Sequence, residues 1–151
     1  MKNAWLVVDK GKIGSQNQCI GLAEALGVPY VLKSIHVKFP WYYLPRIIWP
    51  RAQAAVEHGE NLFAAPFPSL IIASGRSSAQ IAASLKKQHP QTKTIYLMDP
   101  RMDVRAFDHV IAPAHDTLRG PNVIESLGML NRVTPEILKA EGEKFAPQFE
   151  H

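Results

Sequence analysis

Short, unbroken apolar runs punctuate the chain, and each ends in a polar corner. Ala4–Val8 is closed by Asp9-Lys10, Leu70–Ala73 by Ser74-Gly75 and Thr94–Met98 by Asp99-Pro100, and a short strand over Asp108–Ala112, apolar from Val110 on, stops at Pro113. Runs of this length without polar interruption predict strands covered on both faces of a parallel sheet. Tyr30–Val37 alternates only partly and predicts a further strand with His36 on its surface, while Val123 and Ile124 predict a last edge strand. Between the runs the apolar spacing changes to a helical one. Ser15 is placed to cap a helix to about Leu26 with Cys19, Ile20, Leu22, Ala23 and Leu26 inward, ended by Gly27. A helix over Ser78–Gln88, capped by Ser77 or Ser78, carries Ile81, Ala82 and Leu85 on one face. Gln53–Phe63 predicts a short helix. Thr134 as cap and Pro135 in the first turn predict a last one to about Phe145, with Ile137, Leu138 and Phe145 inward. Strands alternating with helices predict an α/β, Rossmann-like, doubly wound and mostly parallel sheet of about five or six strands, in a single domain over residues 1–151.

In such a sheet the corners after successive strands share the carboxyl edge, where ligands of open α/β proteins bind. The corner that follows Leu70–Ala73 is central, because Gly75 permits a sharp turn directly into a helix start. Four corners, Asp9 to Ser15, Ser74 to Ser78, Asp99 to Asp103 and Pro113 to Asn122, offer Lys10, Lys12, Ser74, Arg76, Ser77, Asp99, Arg101, His115, Asp116 and Arg119. Cations and hydroxyls in one cleft suit a phosphorylated or sugar-like ligand. Each corner alone is equally compatible with a plain βα connector. Gly11 to Ser15 lacks the Gly-Lys-Ser/Thr of a phosphate loop and the three glycines of the dinucleotide fingerprint. Ser74-Gly75 lacks the Gly-x-Ser-x-Gly elbow of a nucleophilic serine, and His115-Asp116 is a bare pair without further metal ligands. His115 suits a general base or a hydrogen-bonded turn residue.

Composition changes the picture in two places. The net charge of +4 favours an anionic ligand or an acidic membrane surface, while the dispersed basic residues argue against nucleic acid. One cysteine, Cys19, excludes an internal disulfide and fits a reducing compartment. No apolar stretch approaches a secretory signal or the ~20 residues of a membrane span, so a cytoplasmic location is the expectation. Residues 39–51 hold two tryptophans, two tyrosines, three prolines and two arginines, and the prolines forbid a long helix. Packing of these aromatics on the core is the first reading. The second is a surface in which Trp41, Tyr42, Arg46 and Trp49 meet a lipid headgroup layer, peripheral to the inner membrane face.

Six segments occur in the order and approximate spacing of a known family. They are Asp9-Lys-Gly-Lys-Ile-Gly-Ser-Gln-Asn-Gln18, Ala73-Ser-Gly-Arg-Ser-Ser-Ala79, Asp99-Pro-Arg101, Ala112-Pro-Ala-His-Asp116, Arg119-Gly-Pro-Asn122 and Arg132-Val-Thr-Pro135. With them the chain resembles the mitochondrial-fission-factor-like family, whose bacterial members are described as GT-B-type glycosyltransferases and whose plant members are associated with mitochondrial fission. The family's usual Asp-Gly-Lys opening is Asp9-Lys10-Gly11-Lys12 here. Family members run to about twice this length, which for domains of ordinary size means two of them. The resemblance implies the amino-terminal, acceptor-side half of a two-domain enzyme, inactive alone, with the carboxyl-terminal nucleotide-sugar domain as its missing partner. It implies no cofactor in this domain, a nucleotide sugar as donor in the full-length protein, a small-molecule or lipid-linked sugar acceptor, and metal-independent transfer. Asp99 and His115 are the candidate bases. Lys12, Gly14, Ser74, Gly75, Arg76, Ser77, Arg101, Asp116, Arg119 and Asn122 are the candidate ligand contacts. The alternative is a non-catalytic module that binds a membrane or partner through residues 41–51.

Overall fold

The computed structural model describes residues 3–49, 51–132 and 135–145. Six strands form one sheet: β1 (Ala4–Asp9), β2 (Tyr30–Ile35), β3 (Leu70–Ser74), β4 (Lys93–Leu97), β5 (His109–Pro113) and β6 (Val123–Ser126). Their order is β2-β1-β3-β4-β5-β6, and every neighbouring pair is parallel. Among the described residues four α-helices accompany them: α1 (Ile13–Ala25), α2 (Gly59–Leu62), α3 (Arg76–Gln88) and α4 (Pro135–Phe145).

The unbroken apolar runs are explained by covering on both faces. Trp5 and Val7 of β1 face one core together with Ile71 and Ala73 of β3 and Ile81, Ala82 and Leu85 of α3. Leu6 and Val8 face the opposite core with Ile72, Leu97 and the α1 residues Cys19, Ile20 and Ala23. Alternate residues thus enter opposite cores, as the pleat of a strand requires. Each fully buried Leu or Ile contributes on the order of 1.5–3 kcal/mol. Cys19 lies wholly inside, and burial pushes its thiol up to about 12.

Several expected boundaries move. Helix α1 begins at Ile13, so Gly14 and Ser15 belong to its first turn, Lys12 stands at the cap position and Ser15 caps nothing. Leu26 follows the helix and is half exposed rather than inward. Strand β2 stops at Ile35. Val37 makes a lone antiparallel bridge to Val56, and His36 lies between them, past the strand's end. Gln53–Phe63 is not one helix: a single 3-10 turn over Ala52–Ala55 and the short α2 are separated by His58, which adopts a left-handed φ of 53°. Ile137 and Leu138 of α4 are exposed, not inward. The proposed cap Thr134 lies outside the described residues, as does the environment of the Phe145 side chain.

At the amino edge, β4 and β5 are clamped by Asp108. Its carboxylate accepts hydrogen bonds from the Thr94 amide (2.8 Å) and hydroxyl (3.0 Å) and pairs with Lys86 (2.9 Å) and Lys93 (3.2 Å). Burial opposes its charge, but Lys86, the Thr94 amide, Lys93 and the Thr94 hydroxyl together hold the carboxyl well below the usual carboxylate range. A folded pKa below the unfolded one stabilises the protein above the unfolded value and ceases to do so as pH falls towards the folded value. Asp108→Ala is expected to cost about 2 kcal/mol at neutral pH, discounted for the exposure of Lys93. In urea titrations, the gap between parent and variant should narrow as pH drops below about 4.

Candidate functional site

The site grows from the end of β1 and the start of α3. Val8 pairs with Ser74 across the two central strands, so Asp9 projects beside the corner at Gly75. This is the place where the chain runs to opposite sides of the sheet, with β2 outside β1 and β4 outside β3. A helix start leaves backbone N–H groups without partners, and normally the residue at the cap position supplies an acceptor. Gly75 occupies that position and has no side chain to offer. Asp9 supplies it from another strand: its carboxylate accepts from the Ser77 amide (3.1 Å), the Ser78 amide (2.9 Å) and the Ser78 hydroxyl (2.6 Å). Gly75 has φ +116°, and a Cβ there would lie 2.8 Å from both Cγ and Oδ1 of Asp9. Glycine is therefore required twice, by conformation and by space. From the other side, the buried Tyr96 hydroxyl donates to the Gly75 carbonyl (2.9 Å), and burial pushes this phenol well above its usual range.

With Ser77 and Ser78 engaged by Asp9, and Ser74 fully buried, this corner presents charge through side chains instead. A cavity of about 670 Å3 is lined by Lys10, Lys12, His36, Tyr42, Arg46 and Arg76 with Asp9, Ser15 and Gly75. A second, of about 470 Å3, lies between α3 and the β4 corner, lined by Arg46, Arg76, Gln80, Pro100, Arg101 and Met102. Arg46 and Arg76 line both. Among the described residues no carboxylate is ion-paired with Lys10, Lys12, Arg46 or Arg76. The Arg46 guanidinium rests 5.9 Å from the Trp49 ring centroid, and its buried Nε has no hydrogen-bond acceptor. His36 Nδ1 stands 3.0 Å from Glu57, whose carboxyl is lowered by that hydrogen bond and by the imidazole's charge. Asp9 lines the same cavity but is held by α3, and converging cations that no carboxylate pairs directly suit an anionic ligand.

The other expected residues are distributed as follows. Gly14 sits in the first turn of α1 beside the cavity residues Lys12 and Ser15. Asp99 is held by its own corner, accepting from the Arg101 amide (2.8 Å) and pairing with the Arg101 guanidinium (3.3 Å). Met98 and Arg101 flank this turn with left-handed φ of 78° and 55°. His115, exposed, and Asp116, half-buried, follow β5 at the same carboxyl edge 3.8 Å apart, but neither lines the two cavities. Arg119 turns back on carbonyls of Asp116 and Leu118 and pairs with Glu125 at 3.3 Å. The segment then crosses to the other edge. Asn122 donates to the carbonyls of Val104 (2.7 Å) and Phe107 (2.9 Å), and its own carbonyl accepts from Val110 near the start of β5, so it lies away from the rim. Asp9 and His36 are the residues that sequence reasoning missed. A carboxylate closing a strand ahead of a glycine-capped helix was the available signal for Asp9. Among the described residues no three His, Cys, Asp or Glu side chains gather as a metal site would need.

Residues 13–151 match the family described as Mitochondrial fission ELM1. An uncharacterized protein of Rickettsia prowazekii (strain Madrid E), RP120, is 28% identical over 116 residues, covering 76% of this chain and 32% of that protein. The chain thus spans about a third of that relative's length. Among solved structures, a response regulator protein from Burkholderia multivorans aligns over 100% of this chain and 98% of its own, at 16% identity and a TM-score of 0.37.

Gly75→Ala should destabilise the fold by about 3 kcal/mol through the clash and the positive φ, and Asp9→Ala by about 1–2 kcal/mol through the lost cap. Because removing Asp9 vacates the space that a new methyl would enter, the double variant should be more stable than the sum predicts, by about 1 kcal/mol. Chemical denaturation of the four proteins measures that coupling. Strict additivity would break the assignment.

Proposed function

We propose, from the premise that the chain belongs to the mitochondrial fission ELM1 family, that it forms the amino-terminal, acceptor-side domain of a nucleotide-sugar-dependent glycosyltransferase. The observation that carries this reading is the paired cavity at the carboxyl edge, with Arg46 and Arg76 shared between its halves and Lys10 and Lys12 at its margin. Such a wall holds an anionic acceptor by charge and leaves the open rim to a second domain, which brings the donor. A relative of about three times the matched length supports room for such a domain. In the transfer, the acceptor hydroxyl oxygen bonds to the sugar's anomeric carbon, its proton passes to a base at the rim, and the nucleoside diphosphate leaves. His115 and Asp99 stand on neighbouring corners as candidate bases. His36, whose Nδ1 is held by Glu57, lines the larger cavity itself.

The test uses the full-length protein rather than this domain. Isothermal titration with a panel of nucleotide sugars, followed by turnover assays with phosphorylated and lipid-linked acceptors, should find one productive pair. Arg76→Ala should then raise the acceptor KM by about tenfold or more, the loss of one charge-assisted contact. Replacing the true base (His36→Gln, His115→Gln or Asp99→Asn) should lower kcat by roughly 10²–10⁴. Absence of binding and turnover with every nucleotide sugar would remove the transferase reading.

A further inference from the structure

The segment 39–49 that joins β2 to the rest of the chain separates its aromatic side chains into two sets. Trp49 is only 9% exposed, and its indole N–H donates to the carbonyls of Trp41 (3.1 Å) and Leu44 (3.4 Å). Trp41 packs with Trp49, Val37 and Ala55 in a small core of its own. These two rings anchor the strap, Trp49 buried and Trp41 partly so. Phe39 (83% exposed), Tyr43 (78%), Tyr42 (71%) and Ile48 (56%) face solvent instead, and the two tyrosine rings meet edge to face at 5.3 Å. Four large apolar side chains presented outward by a short, internally hydrogen-bonded strap exceed the isolated exposed residue that any surface carries.

Charge identifies what such a patch would meet. Tyr42 and Arg46 of the strap also line the cavity that holds Lys10, Lys12 and Arg76, so the apolar patch is continuous with the cationic wall. Lys38 and Arg51, at the strap's two ends, are exposed as well. The carboxylates nearby are already committed, Asp9 to α3 and Glu57 to His36. Tyrosine and phenylalanine beside Lys and Arg are the residues that settle at the boundary between anionic headgroups and acyl chains. We propose that the strap, through Phe39, Tyr42, Tyr43 and Ile48, seats this domain on an anionic phospholipid surface, with Arg46, Arg76 and the Lys10–Lys12 corner facing the headgroup phosphates. This inference does not rest on the transferase reading, and it turns the cavity's mouth towards the bilayer. Of the expected contacts Trp41, Tyr42, Arg46 and Trp49 it keeps Tyr42 and Arg46, and it puts Phe39, Tyr43 and Ile48 in place of the two tryptophans.

Co-sedimentation of the full chain with vesicles of phosphatidylcholine, and of phosphatidylcholine mixed with phosphatidylglycerol, tests it. Binding should appear on the mixed vesicles only and weaken as salt rises. Tyr43→Ser/Ile48→Ser should reduce the partition coefficient by about tenfold or more, with Tyr43→Phe/Ile48→Leu restoring it. Arg46→Gln and Arg76→Gln should each reduce it by about fivefold. Circular dichroism melts establish that each variant is folded, and the conservative pair keeps the comparison valid if the serine pair is not. Failure to bind the mixed vesicles, equal binding to neutral ones, or indifference to the Tyr43 and Ile48 changes overturns the proposal. So does release by inorganic phosphate at constant ionic strength without any effect of the apolar variants, which would make the cavity a site for a free phosphate group.

Discussion

One carboxylate joins the two halves of the winding. Asp9 closes β1 and accepts from the amides of Ser77 and Ser78 at the start of α3, so strand and helix are tied across 68 residues of chain. An acid at a helix amino terminus is favoured by the helix dipole as well as by hydrogen bonding. The arrangement demands a neighbour without a side chain, which Gly75 supplies, and a support beneath, which Tyr96 supplies. The α3 corner at the carboxyl edge takes its position from this knot.

The knot also decides what kind of site the edge can be. In many α/β proteins the helix amides themselves cradle an anion. Here those at Ser77 and Ser78 already hold a carboxylate, and the groups left facing the cavity are guanidinium and ammonium side chains. Long cationic side chains reach a larger and less regular ligand than a ring of amides does, and the planar guanidinium forks of Arg46 and Arg76 add bidentate geometry to charge. Arg46 from the strap and Arg76 from α3 stand between the two cavities and line both.

The layering was readable from the chain because it depends on local pattern. Runs such as Leu70–Ala73 admit few outcomes other than a doubly covered strand, and the glycine after it marks the turn. What escaped depends on contacts between distant residues. Ser77 looked like a cap because serine favours that position, yet Gly75 takes the position and Asp9 performs the role from another strand. Leu26 and Leu138 have the spacing of inward residues, but helical periodicity does not say where the covering surface ends. Asn122 belongs by sequence to the corner after β5. The chain crosses the sheet's full height before reaching it, and its amide closes carbonyls at the opposite edge. Trp41 and Trp49 carried the aromatic signal, but composition does not distinguish the rings that anchor a segment from those it displays.

The chain's one cysteine gives the fold a reporter of its own. Cys19 lies under α1 against β1 and β3, and its sulfur is kept as a neutral thiol far above neutral pH. Alkylating reagents attack the thiolate, so they reach this sulfur in molecules whose first helix has lifted from the sheet. The labelling rate of an unmodified sample therefore reads how often the α1 face opens, without any engineered probe and apart from the opposite face, which α3 covers.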